Sequence, residues 1–236
     1  MTNCLLASTS TLHGGSYLDY LLNPLTDLFK GTDEILFIPY ARPGGISHEE
    51  YTQIAQLAFN NIGKTILGIH TLKNPITAVQ DAQGIFIGGG NSFVLVKELY
   101  QHHLIHILGK TVISGVPYLG TSAGSNIMGP SIKTTNDMPI VYPPSYDTLD
   151  IIPFNINPHY LDPDPNSTHK GETRETRIKE FHEYNSTPVV GLREGSWIRV
   201  QQKEIVLKGG DLSARIFEKD GEAYEIPVGS SLTFLK

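Results

Sequence analysis

The chain has 236 residues, 39% of them apolar, with 23 Gly, 15 Pro and a net charge of -6. Its length and apolar content suit a single domain over residues 1–236 with a sizeable core. The acidic balance argues against a nucleic-acid surface, which needs a basic patch. The lone cysteine, Cys4, excludes an internal disulfide and a paired-cysteine metal site.

No apolar stretch nears the roughly 18 residues of a membrane span. The Met1-Thr2-Asn3-Cys4 start lacks the basic character of a secretory signal, so a cytoplasmic location off the membrane is expected. Monomer and homodimer both remain open.

Read in chain order, short apolar runs at 4–7, 34–39, 65–69, 84–88 and 116–120 alternate with helical segments. The runs are continuous, as in strands buried on both faces of a parallel sheet. Ser47-His48-Glu49-Glu50 is a capping box; Ile54, Leu57 and Ala58 follow at helical spacing, and Gly63 is a stop. Asn74 precedes a first-turn proline, Pro75, and Asn91 can cap a helix over 93–100.

Residues 130–187 are rich in Pro, Asn and Asp and poor in periodicity, as in long functional or mobile loops. Short strands at 189–192, 197–200, 205–207 and 214–217, with a turn at Asp220-Gly221, predict a C-terminal antiparallel extension. The expected class is α/β: a mostly parallel, flavodoxin-like sheet flanked by helices, with its site at the carboxyl ends of the strands.

Two of those strand ends carry chemistry. Gly120-Thr121-Ser122-Ala123-Gly124 ends the fifth run and can start a helix, the setting of a nucleophile elbow that exposes a serine hydroxyl. A tight strand-to-helix turn is the plain alternative. Gly88-Gly89-Gly90-Asn91 ends the fourth run. Its amides suit an anion, either phosphate or oxyanion. The standard phosphate signatures fail, because Phe93 stands where a third glycine would be needed. In a hydrolase, Gly89 or Gly90 and Ala123 would supply the oxyanion hole.

A serine nucleophile needs a base and an acid to orient it. His102, His103 and His106 lie on a helical stretch, and His13 lies on the first loop. His159, in Asn157-Pro158-His159-Tyr160, is set by a rigid proline in an irregular region and is the best candidate. Asp137 and Glu194 compete as the acid. Glu194 sits at a strand end, a stiffer support. Only 15 residues separate Ser122 from Asp137, too few for the units that intervene in an α/β-hydrolase esterase. Arg174 and Arg177 could meet a substrate carboxylate bidentately or could pair with Glu172, Glu175 and Glu180 on a helix surface.

Taken together and in order, Gly-Gly-Gly-Asn at 88–91, Gly-Thr-Ser-Ala-Gly at 120–124, Asn-Pro-His-Tyr at 157–160 and Arg-Glu-Gly at 193–195 closely resemble the peptidase E family of serine peptidases over nearly the whole chain. That family includes α-aspartyl dipeptidases and cyanophycinase. The resemblance implies a fold like class I glutamine amidotransferases with serine in place of cysteine. It implies a Ser122-His159-Glu194 triad, hydrolysis of Asp-X dipeptides, Arg174 as substrate anchor, and no metal or organic cofactor. Asp137 matches an acidic family position that either supports the triad or contacts substrate. The rival readings are a β-aspartyl peptidase of the same fold and a flavodoxin-like nucleotide or phosphate-binding module.

Overall fold

A computed structural model describes residues 1–164, 166, 168 and 171–235. The five apolar runs form β1 (Asn3–Ala7), β2 (Glu34–Ile38), β3 (Thr65–Gly68), β4 (Ile85–Ile87) and β5 (Tyr118–Thr121). They pair in parallel in the order β3-β2-β4-β5-β1. Because side chains alternate along a strand, each run feeds two cores. Cys4, Leu6, Leu36, Ile38, Ile85 and Ile87 enter one core. Leu5, Ala7, Ile35, Phe37, Phe86 and Leu119 enter the other. Burial on both faces is why these strands are apolar without interruption.

Helices cover both faces. α1 (Leu22–Leu28) and α2 (His48–Asn60) close the core around Phe37 and Phe86. α3 (Pro75–Gln80), α4 (Ser92–Gln101) and α5 (Ile105–Ser114) close the opposite core. The expected caps form at Ser47, Asn74 and Asn91, with the complete capping box at Ser47 and Glu50. The buried face of α2 differs from the spacing reading. Tyr51, Ala55, Ala58 and Phe59 point inward, whereas Ile54 and Leu57 are 36% and 69% exposed. The aromatic pair packs against Phe37, Phe86 and Phe29, and those larger contacts set the rotation of the helix.

A short helix, α6 (Ala123–Asn126), follows β5. The stretch expected to be loop then yields β6 (Asn155–Pro158) and α7 (Arg174–Tyr184). β6 reads Asn-Ile-Asn-Pro, a poor strand sequence held by its neighbours; α7 is polar almost throughout, so it carries little apolar periodicity.

The C-terminal strands divide between two sheets instead of forming one extension. β8 (Ser196–Gln201) and β9 (Glu204–Gly209) continue the main sheet antiparallel to β1. β7 (Val189–Leu192), β10 (Ala214–Phe217) and β11 (Tyr224–Ile226) join β6 in a second sheet, ordered β11-β10-β7-β6. β6 and β7 run parallel, so their ends, at Pro158 and Leu192, lie side by side. The turn from β7 leads into β8 and the main sheet. That junction positions the site. Among the described residues no helix is long and apolar enough to cross a membrane.

Candidate active site

Ser122 sits at the corner between β5 and α6 with φ 51° and ψ -109°. A non-glycine residue there carries about 1–3 kcal/mol of backbone strain. The flanking glycines are required by close approach. A Cβ on Gly120 would lie 2.5 Å from the Gly124 carbonyl oxygen, and one on Gly124 would lie 2.8 Å from the Ile87 carbonyl carbon. The corner is tied down by Ser122 N–H to Ala7 O at 3.0 Å and by the Tyr118 hydroxyl to Gly124 O at 2.6 Å. Ser125 Oγ lies 2.7 Å from Ala7 O and 2.8 Å from Gly120 O.

His159 leaves the end of β6, also with positive φ, at 53°. Its amide donates to Ser8 Oγ at 2.8 Å, and Ser8 in turn donates to Leu192 O at 2.7 Å. Asn136 Nδ2 donates to Pro158 O at 2.7 Å, and Asn157 Nδ2 donates back to Asn136 Oδ1 at 3.0 Å. So held, the ring places Nε2 2.8 Å from Ser122 Oγ and Nδ1 2.6 Å from Glu194 Oε1. A carboxylate at Nδ1 favours the tautomer with the proton on that nitrogen, in which Nε2 can accept a proton from a hydroxyl.

Glu194 occupies the turn between β7 and β8. Ser196 N–H closes the turn onto Arg193 O, and Gly195 takes φ 91°, the left-handed value that favours glycine. Arg193 anchors the turn from the outside. Its guanidinium holds Asp162 at 2.9 and 2.6 Å and Glu225 at 2.9 and 2.9 Å. Hydrogen bonds from Arg193 hold the Asp162 carboxyl below its ordinary range, against a smaller opposing effect of burial. Tyr20 lies close enough for the Glu194 charge to act on it. Burial first, with that charge adding, pushes its hydroxyl up, so it remains a neutral donor to Thr9 O at 2.7 Å.

The glycine loop faces the same serine. Among the described residues the amides of Gly89, Gly90 and Ala123 have no acceptor. A Cβ on Gly89 would lie 3.1 Å from Ser122 Cβ, and one on Gly90, at φ 148°, would collide with Ala41 O. The Tyr51 hydroxyl braces the loop from behind, donating to Gly89 O at 3.2 Å.

The two candidate acids separate cleanly. Glu194 reaches the imidazole. Asp137 Oδ2 instead accepts from Ser92 N–H at 2.7 Å and the Thr135 hydroxyl at 3.0 Å, at the N-terminus of α4. Arg174, the first residue of α7, donates through Nη1 to Pro158 O at 3.2 Å and to His159 O. Burial, then the Arg177 charge, lowers its pKa. Arg177 is exposed beside Glu172 at 3.7 Å. Of the remaining histidines considered, His13, His103 and His106 are exposed, and His102 stacks on Tyr40 at 5.1 Å. Sequence reasoning missed Ser8, Asn136 and Arg193. Ser8 directly follows β1, and Arg193 adjoins Glu194, so position alone could have raised both. Asn136 carried no signal.

The model of Peptidase family S51 matches residues 4–208. Peptidase E of Streptomyces coelicolor is 48% identical over 233 residues, 99% of this chain and 94% of that protein. A Drosophila melanogaster protein named "Probable alpha-aspartyl dipeptidase" is 46% identical over 236 residues, 99% of this chain and 97% of that one. The solved structure of a peptidase from an acI-B1 Actinobacterium superposes with a TM-score of 0.70, covering 99% of this chain and 97% of its own, at 18% identity. At that identity the likeness concerns the fold.

Proposed function

The chain belongs to Peptidase family S51, and from that premise we propose that it hydrolyses dipeptides with an N-terminal aspartate through Ser122, His159 and Glu194. One observation carries the reading: a strained serine, an imidazole and a carboxylate in a line, at 2.8 and 2.6 Å. Ser122 Oγ attacks the carbonyl carbon of the N-terminal residue while His159 Nε2 takes its proton. The oxyanion settles on the amides of Ala123 and of Gly89 or Gly90; one such donor contributes roughly 3–4 kcal/mol to the transition state. The carbon–nitrogen bond then breaks, and His159 returns the proton to the leaving amine. Water attacks the acyl-serine, giving its proton to His159, and Ser122 recovers it as free aspartate departs. Glu194 keeps the imidazole oriented and stabilises it when charged.

Two further groups suit the aspartyl end. Arg174 has Nε and Nη2 without an acceptor among the described residues, which leaves guanidinium donors for the side-chain carboxylate. Asp137 uses Oδ2 on α4, and its Oδ1 accepts from no described residue, which leaves it for the substrate ammonium. The name of the Drosophila relative supports the same substrate.

A panel of Asp-X, Glu-X, Asn-X, β-Asp-X and acetyl-Asp-X peptides tests the proposal on wild type and Ser122→Ala. Cleavage confined to Asp-X and lost in the variant is expected. Cleavage of β-Asp-X instead would favour the β-aspartyl alternative, and failure of Ser122 to label with a fluorophosphonate would remove the serine mechanism. For Asp137, an unchanged preference of Asp137→Asn for a free over an acetylated terminus would reject the ammonium role.

A further inference from the structure

The protein has six arginines and a net charge of -6, so a cation without a carboxylate partner stands out. Arg177, Arg193 and Arg215 are in ion pairs. Arg199 is consumed by Cys4 O, Val200 O and Asn3 Oδ1. Arg174 and Arg42 remain. Among the described residues, Arg42 has no carboxylate within salt-bridge distance and no side-chain hydrogen bond; its guanidinium rests over the Tyr51 ring, 4.9 Å from the centroid.

Its neighbours tie it to the glycine loop twice. Ala41, one residue before it, accepts from Asn91 N–H at 2.7 Å and packs so closely on Gly90 that a Cβ there would collide. Tyr51, beneath the guanidinium, bonds Gly89 O through its hydroxyl at 3.2 Å and meets the Tyr17 hydroxyl at 3.3 Å. A ring held at its hydroxyl by two partners gives the guanidinium a firm platform while leaving its donor edge free. Arg42 is thus exposed, unpaired among the described residues, and set on a platform that also braces the glycine loop facing Ser122.

An Asp-X dipeptide carries three charges. The proposed function assigns its side-chain carboxylate to Arg174 and its ammonium to Asp137. The C-terminal carboxylate, one residue past the scissile bond, has no partner yet. We propose that Arg42 binds that carboxylate and thereby selects substrates with a single leaving residue. This inference rests on the Asp-X reading. It makes Arg42 a specificity residue: it contacts the leaving residue and takes no part in proton transfer.

The test compares Asp-Leu with Asp-Leu-amide, which lacks only the terminal charge, on wild type, Arg42→Gln and Arg42→Lys. Wild type should favour the free acid. Losing a hydrogen bond to a charged group should cut the acid-to-amide ratio of kcat/KM about 10- to 100-fold in Arg42→Gln, chiefly through KM. Lysine should restore part of it. A ratio that is unchanged in Arg42→Gln while wild type cleaves both peptides overturns the assignment, as does an equal loss on acid and amide, which would place Arg42 at the aspartyl end. Failure of wild type to cleave either peptide overturns the substrate reading and takes the assignment with it.

Discussion

Replacing Gly120 by alanine tests the geometry of the corner more sharply than removing any group of the proposed triad. The new Cβ would stand 2.5 Å from Gly124 O, 2.6 Å from Gly124 C and 2.8 Å from Ser125 N, all backbone atoms that no rotamer change can move. Reaching the 3.4 Å of an ordinary contact requires α6 to retreat by about 0.9 Å. That retreat stretches the 2.8 Å approach of Ser125 Oγ to Gly120 O beyond hydrogen-bond range and strains its companion from Tyr118 to Gly124 O. Overpacking costs about 1–3 kcal/mol. Two weakened buried hydrogen bonds add about 1 kcal/mol each. The reduced freedom of the unfolded chain returns about 0.4–1 kcal/mol. A net loss of about 3 kcal/mol follows, read by urea unfolding. Ser122 moves with α6, and a misplacement near 1 Å costs about 100-fold in turnover. Gly210→Ala, which meets open space at ordinary φ, is the control. A Gly120→Ala variant that stays within about 0.5 kcal/mol of wild type, the ordinary surface range, and turns over Asp-Leu normally would refute this account of the corner.

Other perturbations read other parts of the structure. Glu194→Gln should lower kcat on Asp-Leu by about 100-fold or more with its fold intact by circular dichroism, whereas a loss under tenfold would deny it the orienting role. Asn136→Ala removes the donor to Pro158 O; it should cost about 1–2 kcal/mol and lower kcat more than it changes KM, because His159 loses its brace. Arg193→Gln should cost about 1–3 kcal/mol at pH 7 in thermal or urea unfolding. Because Arg193 depresses the folded-state pKa of Asp162, that stabilisation is present above the unfolded carboxylate value near 4 and fades as pH falls through the folded value, so the variant's acid limb should be flatter. Ser47→Ala should cost about 1 kcal/mol of stability through the lost cap of α2, with turnover unchanged.

The parallel sheet, its flanking helices and their caps were legible because they rest on local causes: continuous apolar runs, Ser and Asn before helices, and glycines at strand ends. The serine corner was legible for the same reason, since close approach admits only glycine at 120 and 124. Tertiary structure decided what depends on partners distant in sequence. The face of α2 followed aromatic packing across the sheet in place of its own apolar spacing. β6 is a strand only because Val189 to Leu192 run beside it, so neither composition nor period announced it. Which of Asp137 and Glu194 reaches the imidazole also depended on the fold: strand-end position favoured Glu194, but only the parallel pairing of β6 with β7 brings residues 159 and 194 to neighbouring ends, while Asp137 accepts from the Ser92 amide at the start of α4. Sequence alone determined which groups can do chemistry here. Which of them meet was decided by long-range pairing, because the contact energies that select among polar side chains come from neighbours that local sequence does not name.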